Sequence, residues 1–162
     1  MNNILICTED ENLKPEKKTE FAACLDIKTS KDFSIKPGKV VQISAWVKTV
    51  LPKGWQCKVY ARSSLPGKFG LMLANSVAIF DADYRGEYIL QLYNFTDKKV
   101  NIDKYTRLAQ MDFQPYLLES WKYTKNSVPK INYIIDKNAY NDWEKLHSSK
   151  RGKGGLWSTW VK

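Results

Sequence analysis

The apolar stretches of this chain are short, and Gly and Pro interrupt them before they reach helical length. Phe33 to Ile35 and Val40 to Val47 flank the turn signal Pro37-Gly38, and a second turn around Pro52–Gly54 leads into Cys57 to Ala61. Within Val40 to Val47, the residues Val41, Ile43, Ala45 and Val47 share one face, the period of two that a half-buried strand needs. Residues 3–7 and Thr106 to Phe113 have the same character, the latter following a turn at Asn101 to Lys104. Such punctuation, with almost no helical periodicity, predicts an all-β barrel or sandwich. At 162 residues and 43% hydrophobic content the chain can form one domain with a sizeable core, and it contains no internal repeat.

A net charge of +9 suits nucleic acid or an acidic surface, but the lysines are scattered along the sequence. A small phosphorylated ligand meets the same charge, and specific nucleic-acid binding is not expected. Cys7, Cys24 and Cys57 are odd in number, form no CxxC pair and have only His147 as a possible imidazole partner. That argues against a disulfide framework or a zinc site and towards a reducing compartment. The N-terminal MNNILICTEDENL lacks the basic and apolar regions of a signal peptide, and no later run reaches membrane-spanning length. A soluble intracellular protein is expected, cytoplasmic, or nuclear in a eukaryotic or viral setting, with no membrane partner.

Residues 59–94 concentrate the chemistry. Arg62 carries a planar fork of donors suited to phosphate oxygens, and Ser63 and Ser64 add hydroxyls at the start of a short helix. Alone, the triplet also reads as a helix cap beside a surface arginine. Asp81 and Asp83 flank one residue at a corner that continues Tyr84-Arg85-Gly86-Glu87; alone, that corner reads as an Asx-type turn. Further on, Asn138 to His147 fits one short helix with Tyr140, Trp143 and His147 roughly on one face, a packing element.

Five ordered segments together resemble the all-β, homotrimeric dUTPase family, the deoxyuridine triphosphate nucleotidohydrolases. Ala22-Ala23-Cys24-Leu25-Asp26-Ile27 resembles the first motif, with Cys24 in place of its glycine. Ala61-Arg62-Ser63-Ser64-Leu65 resembles the second, and Ala78 to Glu87 the third. Tyr105 to Gln110 resembles the fourth, with Tyr105-Thr106 replacing its Gly-Asp. The tail Arg151 to Trp160 resembles the fifth, with Leu156 where an aromatic normally covers the base and Trp157 and Trp160 where glycines are usual. The resemblance spans nearly the whole chain except residues 117–150.

The resemblance implies a distorted jelly-roll or β-barrel of the β-clip type: a catalytic core over 1–116, a connector over 117–150 and a Gly-rich phosphate-binding arm over 151–162. It implies hydrolysis of dUTP to dUMP and pyrophosphate with Mg2+, which limits uracil in DNA and supplies dUMP for dTMP synthesis. On the matching positions, Asp81 would be the general base and Asp26 would reach the metal through water. Arg62, Ser63, Ser64, Gln110, Arg151, Ser158 and Thr159 would hold the phosphates. Asn75, Ala78, Tyr84, Leu156 and Trp157 would hold base and sugar. Three rivals stand beside this reading: dCTP deaminase (or a bifunctional deaminase and dUTPase), a catalytically weakened nucleotide-binding homologue, and a nucleic-acid binder. Gln91 occupies the position of the deaminase's catalytic glutamate, and an amide cannot carry the proton that reaction needs.

Overall fold

Alternation of buried and partly exposed side chains gives two of the inner strands their place. In β6 (Trp55–Ala61), Trp55, Cys57 and Val59 point inward; in β9 (Ile89–Asn94), Leu90, Leu92 and Asn94 do. A computed structural model describes residues 3–116 and 129–154. Around β6 and β9 lie β1 (Asn3–Thr8), β2 (Leu25–Lys28), β3 (Phe33–Ile35), β4 (Val40–Ser44), β5 (Val47–Val50), β7 (Leu71–Leu73), β8 (Ala78–Phe80), β10 (Val100–Ile102), β11 (Arg107–Pro115) and β12 (Lys130–Ile135). They form the sheets β12-β1-β5, β10-β3, β2-β11-β6-β8 and β4-β9-β7. The all-β expectation holds: the helices are α1 (Ser64–Phe69), α2 (Lys137–Asn141) and α3 (Trp143–Leu146), beside a single 3-10 turn at Glu11–Leu13, among the described residues. No helix among the described residues is long and apolar enough to cross a membrane.

The apolar faces meet in one principal core that includes Ile6, Ile27, Val59, Leu65, Leu71, Leu92, Leu108 and Met111. Asn94 is the polar member of an inward row and is wholly buried. Its amide donates to the carbonyls of Ile35 and Lys98 at 3.0 and 2.8 Å, and its Oδ1 accepts from the Thr96 N–H and hydroxyl at 2.9 and 2.8 Å. All its hydrogen-bonding capacity is met, which is the condition for burying an amide without penalty.

Three local expectations change. The run from Val40 to Val47 is two strands, because the chain leaves one sheet for another at Ala45–Trp46. There Trp46 takes a left-handed φ of 52°, its N–H bonds to Ser44 Oγ at 2.9 Å, and its ring stacks on Tyr140 at 5.8 Å. Inward placement of Ile43, Ala45 and Val47 survives the break. The single helix over Asn138 to His147 is two short ones, interrupted at Asp142 (φ −91°, ψ 9°), yet Tyr140 and Trp143 do pack together against Cys7. His147 follows, its ring 4.2 Å from that of Trp143. Finally, Lys130–Ile135, read from sequence as connector, is a strand that pairs parallel with β1 from Asn3↔Lys130 to Thr8↔Ile135.

Candidate functional site

The connection from β7 to β8, which crosses from one sheet to another, and the corner beyond it build one half of the site. Its loop is folded tightly: Ser76 has φ 62°, its N–H bonds to the Leu73 carbonyl at 3.1 Å, and Val77 N–H bonds to the Asn75 carbonyl at 2.7 Å. Asn75, Ala78, Phe80, Tyr84, Gln91, Arg151 and Lys153 line a cavity of about 320 Å³ beside it. That volume lies at the small end of ligand pockets, the range for a nucleoside-sized occupant. Tyr84 is held with its hydroxyl donating to the Glu87 carbonyl at 2.8 Å and its ring tilted against Phe80 at 5.5 Å. Phe80 in turn stacks on buried Tyr88 at 3.7 Å. Burial pushes the Tyr84 phenol above its ordinary value, against a smaller opposing pull from Arg151, so the ring is neutral at pH 7. Gly86 makes this packing possible, since a Cβ there would collide with the Tyr84 hydroxyl.

Asp81 and Asp83 stand at the corner with about half of each side chain exposed. Arg151 forms an ion pair with Asp81, lies 3.8 Å from Asp83 Oδ1, and places its guanidinium carbon 5.6 Å from the centre of the Tyr84 ring. Arg85 is nearly buried at 8% exposure and donates to three carbonyls: Ala82 at 2.7 Å, Tyr84 at 2.9 Å and His147 at 2.8 Å. Its backbone N–H bonds to the Gly152 carbonyl at 2.7 Å. Desolvation and the Arg85 charge hold His147 below its ordinary value, so it is neutral at pH 7 and offers a ring that packs on Trp143.

The other half sits where β2, β6 and β11 adjoin. Asp26, 6% exposed, pairs with Arg62 Nε at 3.0 Å and Arg107 at 3.5 Å. Gln110 stands opposite Asp26 in the ladder and donates to the Ala61 carbonyl at 3.2 Å, while Arg62 donates to the Arg107 carbonyl at 3.1 Å. Ser63 precedes α1 without making a capping hydrogen bond, so the simple cap reading of the triplet fails and its exposed hydroxyl is not spent on the helix. The turn into β11 survives the loss of its glycine because Tyr105 takes the left-handed conformation itself, φ 65°, its hydroxyl donating to Asp10 Oδ2 at 2.7 Å.

The structure thus gathers Asn75, Ala78, Asp81, Tyr84 and Arg151 in one group and Asp26, Arg62 and Gln110, with neighbouring Ser63 and Ser64, in another. No side-chain hydrogen bond or ion pair among the described residues links the two sets directly, although β6 and β8 are neighbours in one sheet. Leu156, Trp157, Ser158 and Thr159 lie outside the described residues. Sequence reasoning missed Arg85, whose three carbonyl partners are invisible without the fold. It also missed Lys153 and the cavity position of Gln91; alternation along β9 was the available signal for the latter, since Gln91 falls between the inward Leu90 and Leu92.

Residues 11–133 match the dUTPase family model. The chain belongs to the dUTPase family. A deoxyuridine 5'-triphosphate nucleotidohydrolase of Desulfitobacterium hafniense is 33% identical over 150 residues, covering 91% of this chain and 87% of the relative. The enzyme of that name from Lactococcus lactis is 37% identical over 110 residues, 64% of this chain and 73% of its own. The crystal structure of a dUTPase from Streptococcus mutans superposes with a TM-score of 0.66 at 36% identity, covering 68% of this chain and 91% of that one. The family match starts after β1 and ends inside β12, so α2, α3 and the Arg151 segment lie beyond it.

Proposed function

We propose that this dUTPase-family chain hydrolyses dUTP to dUMP and pyrophosphate, the activity named for its relatives in Desulfitobacterium and Lactococcus. The observation that carries the reading is the nucleoside-sized cavity bounded by Asn75, Ala78 and Tyr84, whose wall includes the arginine that pairs with Asp81. In this reading Asn75 and the backbone around Ala78 recognise uracil, and the Tyr84 ring, wedged between Phe80 and Gly86, leaves no space for a 2′-hydroxyl.

Asp81 orients the attacking water and takes its proton as the oxygen closes on the α-phosphorus. Arg151 pairs with Asp81 in the free chain, and the negative charge of the triphosphate competes for that guanidinium and leaves the carboxylate open to the water. Arg62, Ser63, Ser64 and Gln110 meet the phosphate chain, and the fixed donors of Arg62 and Gln110 stabilise charge that moves towards the leaving pyrophosphate. Ser158, Thr159, Leu156 and Trp157 complete the phosphate and base contacts.

A magnesium ion fits the acidic group at β2 only indirectly. No cluster of three or more acidic, His or Cys side chains suited to a metal occurs among the described residues, and Asp26 already faces two arginines. Its buried Oδ2 nevertheless lacks a hydrogen-bond donor, which suits a carboxylate that accepts from a metal-bound water. Bound by substrate phosphates, Mg2+ supplies charge neutralisation. Among the fold neighbours, a dUTPase from phage phi11 is described as coordinating a structural Mg(II) ion.

A homotrimer is proposed, as the family resemblance implies, with neighbouring copies completing the site. Deamination of dCTP is disfavoured, because Gln91 in the cavity wall cannot carry a proton. Supplying dUTP, dCTP, dTTP and UTP separately with magnesium tests the assignment. Selective release of pyrophosphate and dUMP from dUTP is expected, and ammonia from dCTP or equal turnover of UTP refutes it.

A further inference from the structure

We infer that Gln91 holds the bound base by its 4-position, its side-chain amide donating to the O4 oxygen of uracil. The inference deepens the dUTPase reading and rests on it. The strand β9 turns Leu90, Leu92 and Asn94 into the core and leaves Ile89 and Gln91 half-buried on its other face, in the wall of the cavity. The two amides of this strand are used differently. Asn94 spends its whole capacity on protein, in four hydrogen bonds, whereas the Gln91 side chain makes none among the described residues. A half-buried carboxamide with two donors and two acceptor sites unspent, facing a cavity, is placed to spend them on the occupant.

The backbone of Gln91 is fixed from both sides. It pairs with Gln42 of β4, and its carbonyl accepts from the Ala74 N–H at 2.8 Å. That second bond also sets Asn75, the next residue along, close by, so one end of the cavity wall carries two carboxamides. The other end is marked by Tyr84, which packs on Phe80, and Phe80 stacks on Tyr88, the residue before Ile89. From Ile89 to Gln91 the strand advances about 7 Å. With the sugar against Tyr84, the base extends from its N1 atom towards the two amides. The ring atom opposite N1 is C4, so its substituent is the part that reaches Gln91. In uracil that substituent is a carbonyl oxygen, an acceptor for Gln91 Nε2; in cytosine it is an amino group, a donor. Ile79, Phe80 and Ile89 supply apolar wall around the ring.

Calorimetric titration of dUMP and dCMP into the parent, Gln91→Leu and Gln91→Glu chains tests this, with urea unfolding to confirm that each is folded. Leucine removes the donor, and dUMP affinity is expected to fall roughly 3- to 10-fold. Glutamate is an acceptor only; it should repel O4 and accept from the cytosine amine, so the ratio of dUMP to dCMP affinity should drop at least about tenfold below the parent's. Unchanged dUMP affinity in Gln91→Leu, or an unchanged ratio in Gln91→Glu, overturns the inference. An altered ligand tests the position without relying on either variant. Sulfur is a poor acceptor, so 4-thio-dUMP should bind the parent more weakly than 2-thio-dUMP does; the reverse order, or equal binding, overturns the inference. In a folded Gln91→Leu chain the penalty of 4-thio-dUMP relative to dUMP should vanish, and its persistence would assign O4 to another residue. Release of pyrophosphate from dUTP by the parent keeps the two readings apart. A parent that neither releases it nor binds dUMP fails the substrate assignment, and this inference with it. A parent that does both, beside Gln91 variants that bind as it does, fails this inference alone.

Discussion

Replacing Arg85 with Met removes the charge that joins the acid corner to the end of α3 while keeping an unbranched chain of similar girth. The native guanidinium makes three short hydrogen bonds, to the Ala82, Tyr84 and His147 carbonyls at 2.7 to 2.9 Å. Hydrogen bonds from a charged donor contribute roughly 1.5–3 kcal/mol each, and the desolvation of a nearly buried cation offsets part of that. The expected net loss is about 3 kcal/mol of unfolding free energy. Equilibrium urea denaturation measures it, and the same preparation should show a second effect. With the His147 carbonyl released, residues 147–152 are held only by the contacts of Ser149, Arg151 and Gly152, so trypsin should cut after Lys150 or Arg151 faster than in the parent. Turnover of dUTP should fall through misplacement of Arg151 and Tyr84. A loss under about 1 kcal/mol with unchanged cleavage and turnover would refute the view that Arg85 organises this corner.

Asp81→Asn is expected to lower turnover by roughly 10²–10⁴-fold with nucleotide binding largely kept, because the amide cannot take the proton; near-parental turnover in steady-state assays removes Asp81 from the mechanism. Asn94→Ala breaks four hydrogen bonds at a wholly buried position and leaves the Ile35 and Lys98 carbonyls without this donor, for an expected loss of about 3–4 kcal/mol in urea unfolding. Among the cysteines, burial pushes the Cys7 thiol from 9.0 up to about 11 and raises Cys57 further; desolvation raises Cys24 as well, but that thiol is only partly covered. A thiol reagent at pH 8 should therefore label Cys24 before the others, which react only on unfolding. A raised thiol value also means that the stabilisation is full below pH 9.0 and is lost as pH rises towards 11, so unfolding free energy should decline across that window.

Local chemistry was readable where the motif carries its own geometry. Asp81, Tyr84 and Gly86 lie within six residues of one another, and the corner needs little else to take shape. Partners set by tertiary packing were not. Arg151 reaches Asp81 across seventy residues of sequence, and that meeting depends on where Tyr140 and Trp143 bury themselves. The strand Lys130–Ile135 escaped notice because it lies at a sheet edge with its side chains exposed or half-exposed, so burial imposes no alternation for a sequence pattern to reveal. Tyr105 shows the opposite limit. A bulky residue in the left-handed region costs roughly 1–2 kcal/mol, and only the tertiary bond to Asp10 makes that placement intelligible.

The pairing of β2 with β11 also sets the order in which this protein can come into being. Leu25–Lys28 finds its ladder only at Arg107–Pro115, just as β3 waits for β10 and β4 for β9. On a ribosome adding about 5–20 residues per second, β2 stays without that partner for roughly 4–16 s after it emerges. Non-local pairing of this kind makes folding slow, and the exposed strands are open to association with other nascent chains meanwhile. Asp26, bridged upstream only to Glu16, gains its ladder partner when Gln110 arrives opposite it, and a fragment that stops short of Arg107 will lack the strand that sets its carboxylate beside the arginine-serine turn.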